Sequence, residues 1–214
     1  MESHTAHHQD VSGDDRARAR PSLAGAVLCG GRSARMGVDK ATIIFEGMTL
    51  LDRALARLDS VCDPVLVAAG DLPLTITGRH RVRDAVAGAG PLAGLVAALR
   101  ASPHRMLAVV AVDLPWIDPM LIRMLAARIG DHDVAACETR RGIEPLHAVY
   151  STAILDAAES ALAGKDRSLR RLIDGAHALR LAESEWRGAG FSDGFTRNLN
   201  SPNDLLEVSQ QPPR

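Results

Sequence analysis

Short apolar runs alternate with segments of helical periodicity along most of the chain. Almost wholly apolar runs occupy residues 24–29, 64–69 and 106–112, and each ends at polar or glycine residues. Such runs are typical of strands buried on both faces of a parallel sheet. Further, shorter strands are predicted at residues 42–45, 81–84, 133–137, 146–151 and 179–182.

Helix starts lie between these runs. Thr49 with Asp52 three residues later forms a capping-box pattern, and Asp118 followed by Pro119 is a second N-terminal signal. We therefore predict helices that begin at Thr49 and at Asp118, one over residues 91–101, two near residues 152–163 and 168–174, and a last helix capped by Ser201.

Strands that alternate with helices at this spacing predict an α/β fold with a largely parallel sheet. We expect one domain over residues 22–208, a disordered tail over residues 1–21 and a flexible tail over residues 209–214. Ligands of such sheets bind at the carboxyl ends of the strands. The loops after Cys29, Ala69, Asp84 and Val112 are therefore the candidate site.

Composition narrows the possible functions. The net charge of −1 argues against a general binder of nucleic acids or membranes, and no apolar run among the 214 residues is long enough to span a membrane. The three cysteines, Cys29, Cys62 and Cys137, form no CxxC pair, which fits a reducing compartment. Because a secretory signal is also lacking, we expect a cytoplasmic protein.

The stretch LCGGRSARMGVDKA, residues 28–41, follows the first predicted strand. Glycines let the backbone approach phosphate oxygens, and cations neutralise phosphate charge. The alternative is an ordinary basic loop, but neither a Walker A motif nor GxGxxG is present here. We predict a nucleotide site formed by the backbone of Leu28, Cys29, Gly30 and Gly31 and by the cations Arg35 and Lys40.

Two aspartates follow predicted strands. Asp113 comes directly after MLAVVAV and suits Mg²⁺, which prefers oxygen ligands and often takes only one or two from protein; the alternative is a turn residue. Asp84 closes HRVRD and can accept hydrogen bonds from guanine or from ribose, a choice that the sequence leaves open. Its alternative role is a salt bridge with Arg81 or Arg83.

These motifs together resemble the molybdenum cofactor guanylyltransferases, MobA-like nucleotidyltransferases with the signature LAGGxSxRMGxDKA. The resemblance spans about residues 24–206, and the later motifs keep the family's order: GAGPLAGL (88–95), AVDLPWI (111–117), EPLHAVYS (144–151), SLRRLID (168–174) and NLNSPNDL (198–205). It implies a Rossmann-like three-layer sandwich around a mostly parallel central sheet, of the nucleotide-diphospho-sugar transferase type.

The resemblance also implies roles for individual residues. Arg35, Lys40 and Asp113 are the catalytic candidates, Asp84 binds nucleotide, and Asn200 joins Asp113 as a Mg²⁺ ligand. Four residues fall on the second-substrate side, where the cations would meet a phosphate: Glu144, Pro145, Arg170 and Arg171.

The chain departs from the family pattern at two positions. Cys29 replaces an alanine, and Ala69-Gly70 stands where the family carries an asparagine after its second core strand. We expect a backbone group of Gly70, or Asp71, to replace that asparagine.

The predicted reaction is transfer of GMP from GTP to molybdopterin with release of pyrophosphate. We expect a monomer that has no nucleic-acid or membrane partner and that makes at most transient contact with molybdoenzymes or cofactor-synthesis proteins. One alternative is a molybdopterin cytidylyltransferase, although the glycine pair in residues 28–41 and GPLAG favour GTP. Others are a different NTP transferase and a nucleotide-binding protein that delivers cofactor without catalysis.

Overall fold

The computed structural model describes residues 22–29, 39–70, 76, 78–84, 86, 88–199 and 204. Within them the strands are Leu23–Leu28 (β1), Ile44–Phe45 (β2), Met48–Thr49 (β3), Val65–Ala68 (β4), His80–Val82 (β5), Met106–Ala111 (β6), Val134–Thr139 (β7), Gly142–Ile143 (β8), His147–Ser151 (β9) and Ala178–Leu181 (β10). The α-helices are Leu50–Asp59 (α1), Pro91–Ala101 (α2), Pro119–Arg128 (α3), Leu155–Ala163 (α4), Leu169–Asp174 (α5) and Glu183–Gly188 (α6). Short 3₁₀ helices cover Lys40–Thr42, Thr152–Ile154 and Asp193–Thr196.

The main sheet has the strand order β10-β7-β9-β6-β1-β4-β5, and β8 pairs with β7. Strand β1 lies at the centre, parallel to β4 and β6, while β5 is parallel to β4 and β10 is parallel to β7. Strand β9 runs antiparallel between β6 and β7. The predicted mostly parallel sheet is confirmed. We call the edge where β1, β4 and β6 end the carboxyl edge, and the opposite edge the amino edge.

Helices cover both faces of the sheet because β1 is apolar on both. Val27 packs in a cluster with Leu58 of α1 and Leu121 of α3, whereas Ala26 packs in a second cluster with Val96 of α2. All five side chains are fully buried, and burial of this kind is the main favourable contribution to folding. The three-layer sandwich is therefore confirmed.

The sequence signals for helix starts are also confirmed. Thr49 Oγ1 accepts a hydrogen bond from the Asp52 N–H at 3.0 Å, and Asp118 Oδ1 accepts one from the Met120 N–H at 2.9 Å. Each satisfies a backbone donor that the first helical turn leaves unpaired.

The structure differs from the prediction in several of its short strands and helices. The strand predicted at residues 42–45 begins only at Ile44, because the Asp39 side chain caps a 3₁₀ helix by accepting from the Ala41 N–H at 3.0 Å. Strand β8 and helix α6 were not predicted; α6 is too short for periodicity to reveal and is anchored by the buried Trp186.

Both predicted tails and the helix start predicted at Ser201 lie outside the described residues, so the domain boundaries stay predictions. No helix in the part of the chain that the structure describes is long and apolar enough to cross a membrane.

Candidate functional site

Lys40 and Asp113 form an ion pair at the carboxyl edge. Lys40 Nζ lies 2.7 Å from Asp113 Oδ2, and each side chain is 15% exposed. Lys40 opens the 3₁₀ helix that Asp39 caps, and Asp113 stands in the loop after β6. The structure thus joins two predicted site residues that are 73 positions apart in the chain.

Backbone hydrogen bonds fix the loop that carries Asp113. The Val112 N–H donates to the Leu28 carbonyl at 3.1 Å, and the Leu199 N–H donates to the Asp113 carbonyl at 2.9 Å. The loop is therefore held to the end of β1 on one side and to the C-terminal segment on the other. This anchoring fixes where the Asp113 carboxylate stands.

Asp113 suits a magnesium ion that takes most of its ligands from a substrate. Mg²⁺ is commonly bound by one or two carboxylates together with substrate phosphates and water. Among the described residues, no three or more His, Cys, Asp or Glu side chains gather into a metal-binding group. Asp113 supplies one carboxylate of this kind at the carboxyl edge. Asn200, the other predicted ligand, lies outside the described residues.

The first motif is described only at its two ends. Leu28 ends β1 and Cys29 follows it, and the Cys29 N–H donates to the Ala68 carbonyl at 2.8 Å. Burial, the largest effect, raises the pKa of the Cys29 thiol to about 12, so this thiol is not a nucleophile near neutral pH. Gly30, Gly31 and Arg35 lie outside the described residues.

Asp84 stands on the other side of β1, after β5. Its carboxylate lies beside Gly70, which follows β4, and beside Gly94, which is buried in the first turns of α2. A Cβ on Gly94 would also come within 3.3 Å of Leu28 Cδ2. The structure thus brings Asp84 to the same edge as the end of β1. The glycines Gly70 and Gly94 let the backbone approach its carboxylate closely.

Glu144 and Arg170 lie in one region, on the far side of Asp113 from Asp84: a Cβ on Gly142, two positions before Glu144, would stand 3.8 Å from Arg170 Nη1. The Glu144 Oε1 accepts from the Leu146 N–H at 3.1 Å, and burial, the largest effect, raises the pKa of Glu144. The charges of Arg170 and Arg141 oppose this rise, while that of Asp113 adds to it. These charges act on Glu144 because all of them lie near it at the carboxyl edge.

The other two predicted second-substrate residues have different surroundings. The Pro145 carbonyl accepts from the Tyr150 hydroxyl at 2.8 Å, which holds the turn before β9. Arg171 forms an ion pair with Asp166 at 2.7 Å and lines a cavity against α4. The structure therefore brings Arg170, but not Arg171, to Glu144.

Sequence reasoning missed two residues of this region. Arg81 was considered only as a partner of Asp84, yet its Nη2 donates to the Gly70 carbonyl at 2.8 Å. Arg141 follows β7 in a tight turn, and no motif marks it.

His147 is wholly buried, its Nε2 accepts from the Asp118 N–H at 3.1 Å, and burial lowers its pKa to about 4. This histidine therefore stays neutral and structural.

Comparison with known proteins identifies the family of the chain. Residues 25–182 match the family model of the MobA-like NTP transferase domain. A probable molybdenum cofactor guanylyltransferase of Deinococcus radiodurans is 35% identical over 87% of this chain and 94% of its own length. The probable molybdenum cofactor guanylyltransferase of Mycobacterium avium is 35% identical over 88% of this chain and 95% of its own length.

A solved structure extends the comparison to the fold. The crystal structure of molybdopterin-guanine dinucleotide biosynthesis protein A from Archaeoglobus fulgidus matches with a TM-score of 0.73 and 22% identity, over 87% of this chain and 97% of that one. The model match covers most of the strands and helices described above, including Lys40, Asp84, Asp113 and Glu144. The chain therefore belongs to the family of MobA-like NTP transferase domains.

Proposed function

We propose that this protein transfers GMP from GTP to molybdopterin and releases pyrophosphate. The observation that carries the proposal is the Lys40–Asp113 pair at the carboxyl edge, with Asp84 on one side of it and Glu144 and Arg170 on the other. Such an edge is where α/β sheets bind nucleotides. The names of the 35% identical relatives support the same activity.

In the proposed reaction, a phosphate oxygen of the pterin forms a bond to the α-phosphorus of GTP. The bond between that phosphorus and the oxygen leading to the β-phosphate breaks, and this oxygen leaves with pyrophosphate. A phosphate monoester already carries negative charge near neutral pH, so no general base is needed. Catalysis then depends on position and on neutralisation of charge.

Lys40 would stabilise the triphosphate and the charge that develops on pyrophosphate. Its ammonium lies 2.7 Å from Asp113 Oδ2, so it stands at the carboxyl edge, where the triphosphate would bind. Asp113 and Asn200 would hold Mg²⁺, which supplies further neutralisation of phosphate charge. Arg35 and the backbone of Gly30 and Gly31 complete the proposed phosphate site.

Glu144, Pro145 and Arg170 would receive the pterin. Arg170 is exposed and near Glu144, so its guanidinium is available to the phosphate of the second substrate. Asp84 would accept hydrogen bonds from the guanosine, on the opposite side of Asp113. The two substrates would then meet above the end of β6.

The test is pyrophosphate release with Mg²⁺ and molybdopterin, with GTP and CTP supplied in parallel. We expect release with GTP alone, and none after chelation of the metal. Release with CTP alone would overturn the guanylyl assignment but keep the reaction class. GTP binding without pyrophosphate release from either nucleotide would show that the protein delivers cofactor and is not an enzyme.

A further inference from the structure

The Asp84 carboxylate lies between two glycines that leave it room. A Cβ on Gly70 would stand only 3.0 Å from Asp84 Oδ2, and one on Gly94 would stand 3.7 Å from Oδ1. Gly70 also has φ of +51°, a left-handed conformation that side-chain-bearing residues rarely adopt. A side chain at position 70 would therefore strain the turn and press on the carboxylate.

Arg81 holds this turn from the neighbouring strand. Its Nη2 donates to the Gly70 carbonyl at 2.8 Å. Arg81 pairs with Val67 in the β4–β5 register, so its side chain reaches past the end of β4 to contact Gly70. A charged donor on a carbonyl forms one of the stronger kinds of hydrogen bond.

The charge of Arg81 also acts at the end of β1. It lowers the pKa of Cys29, whereas burial, Asp39 and Asp84 raise it. Arg81 and Asp84 therefore both lie close enough to the end of β1 to act on this thiol. In the sequence, Ala69 and Gly70 follow β4 and neither has a polar side chain, so Arg81 brings the polar group to this place from β5.

We infer that Arg81 is a positioning residue for the nucleoside. By fixing the Gly70 turn, it sets where the Asp84 carboxylate stands, and this carboxylate accepts hydrogen bonds from N–H or O–H donors of the nucleoside. The inference rests on the proposed function, because it assigns a contact to the nucleotide of that reaction. Two donors share this chemistry: the N1–H and 2-amino group of guanine, and the hydroxyls of ribose.

The experiment compares Arg81→Met and Arg81→Lys with the control Arg79→Met. Arg79 is an arginine two positions earlier that pairs with Asp59. GTP affinity is measured by calorimetry, KM and kcat by pyrophosphate release, and folding by the thermal unfolding temperature. We expect Arg81→Met to weaken GTP binding and raise KM about tenfold, with kcat within about twofold. The reason is that the Gly70 turn, which positions Asp84, loses its charge-assisted hydrogen bond from Arg81. Arg81→Lys restores part of the affinity, and Arg79→Met binds like the wild type.

Analogues identify the donor that Asp84 meets. If it is guanine, the wild-type preference for GTP over ITP, which lacks the 2-amino group, shrinks in Arg81→Met. If it is ribose, the preference for GTP over 2′-deoxy-GTP shrinks instead. Either result supports the positioning role.

Other outcomes overturn it. Unchanged GTP affinity in a folded Arg81→Met protein excludes the role, as does loss of kcat at constant KM. If Arg81→Met does not fold, Arg81→Gln, which is shorter and uncharged, decides by the same measurements, and wild-type affinity in it counts against the inference. A wild-type protein that does not bind GTP rejects the proposed function, and this inference with it. A wild-type protein that turns over GTP, together with an Arg81→Met protein whose GTP affinity is unchanged, rejects this inference alone.

Discussion

The turn after α3, at the amino edge, and the loop after β6, at the carboxyl edge, give their polar side chains different kinds of partner. At the amino edge, His132 Nδ1 lies 2.8 Å from the Ile129 carbonyl, and Arg105 donates to the Gly130 carbonyl at 2.9 Å. At the carboxyl edge, Lys40 meets Asp113, and the charge of Arg170 acts on Glu144. Side chains that bond the backbone hold the chain in place, whereas charged groups that face one another can exchange partners with a substrate. We therefore propose that the turn after α3 is structural and that the loop after β6 takes part in the reaction.

Replacing Lys40 should break this contrast most severely. Lys40→Ala removes the cation proposed to stabilise pyrophosphate, so we expect turnover to fall about 10²- to 10³-fold. The unfolding temperature should fall moderately, because the largely buried Asp113 carboxylate loses this cation. Pyrophosphate release and thermal unfolding check both expectations. The chain's other lysine, the exposed Lys165, supplies the matched control, and Lys165→Ala should behave like the wild type.

A Lys40→Ala protein with ordinary turnover would show that the ion pair is structural, like the contacts of the amino edge. Loss of activity together with a large fall in unfolding temperature would lead to the same conclusion.

Most of the fold, but only part of this contrast, could be predicted from the sequence. Core strands, caps and helix stripes are local patterns, so β1, β6 and the start of α3 were predicted nearly to the residue. The pairing of Lys40 with Asp113 depends on packing between distant segments, and no local pattern encodes it. For the same reason two adjacent arginines, Arg170 and Arg171, could not be told apart before the direction of each side chain was known.

That pair of arginines sharpens the comparison at the second-substrate side. Arg170→Met should raise the KM for molybdopterin about tenfold, because a charge-assisted contact to its phosphate is lost. Arg171→Met should raise it less than about twofold, since Arg171 is paired with Asp166 against α4. Steady-state kinetics with the pterin varied at saturating GTP measures both. Equal effects in the two variants would remove Arg170 from the proposed site.

The pH dependence of stability should report on Glu144. Its pKa is raised above the ordinary 4.5, chiefly by burial, so the folded protein holds this proton more tightly than the unfolded chain. The stability that this carboxyl contributes is therefore full below about pH 4.5 and is lost as the pH rises through the folded-state pKa. Glu144→Gln cannot lose that proton. We expect its unfolding temperature to fall less than that of the wild type between about pH 4.5 and 7.

Thermal unfolding at several pH values measures this difference, and Glu159→Gln on α4 is the surface control. Because Arg170 lowers the pKa of Glu144, Arg170→Met should move the loss of stability to higher pH. Parallel profiles for wild type and Glu144→Gln would mean that the carboxyl is not perturbed by its neighbours.

The smallest effect is expected at the amino edge. His132 stacks on His177 with ring centroids 4.2 Å apart and bonds the Ile129 carbonyl, so His132→Ala removes contacts that hold the end of α3 against β7 and β10. The expected cost is about 1 kcal/mol of unfolding free energy, the usual value of one hydrogen bond. Neither kcat nor the KM of either substrate should change, because the proposed reaction takes place at the opposite end of β6. Urea unfolding and steady-state kinetics on one preparation measure the two quantities together. If turnover fell while the fold stayed intact, the amino edge would take part in the reaction, and the proposed separation of structural and catalytic roles would be wrong.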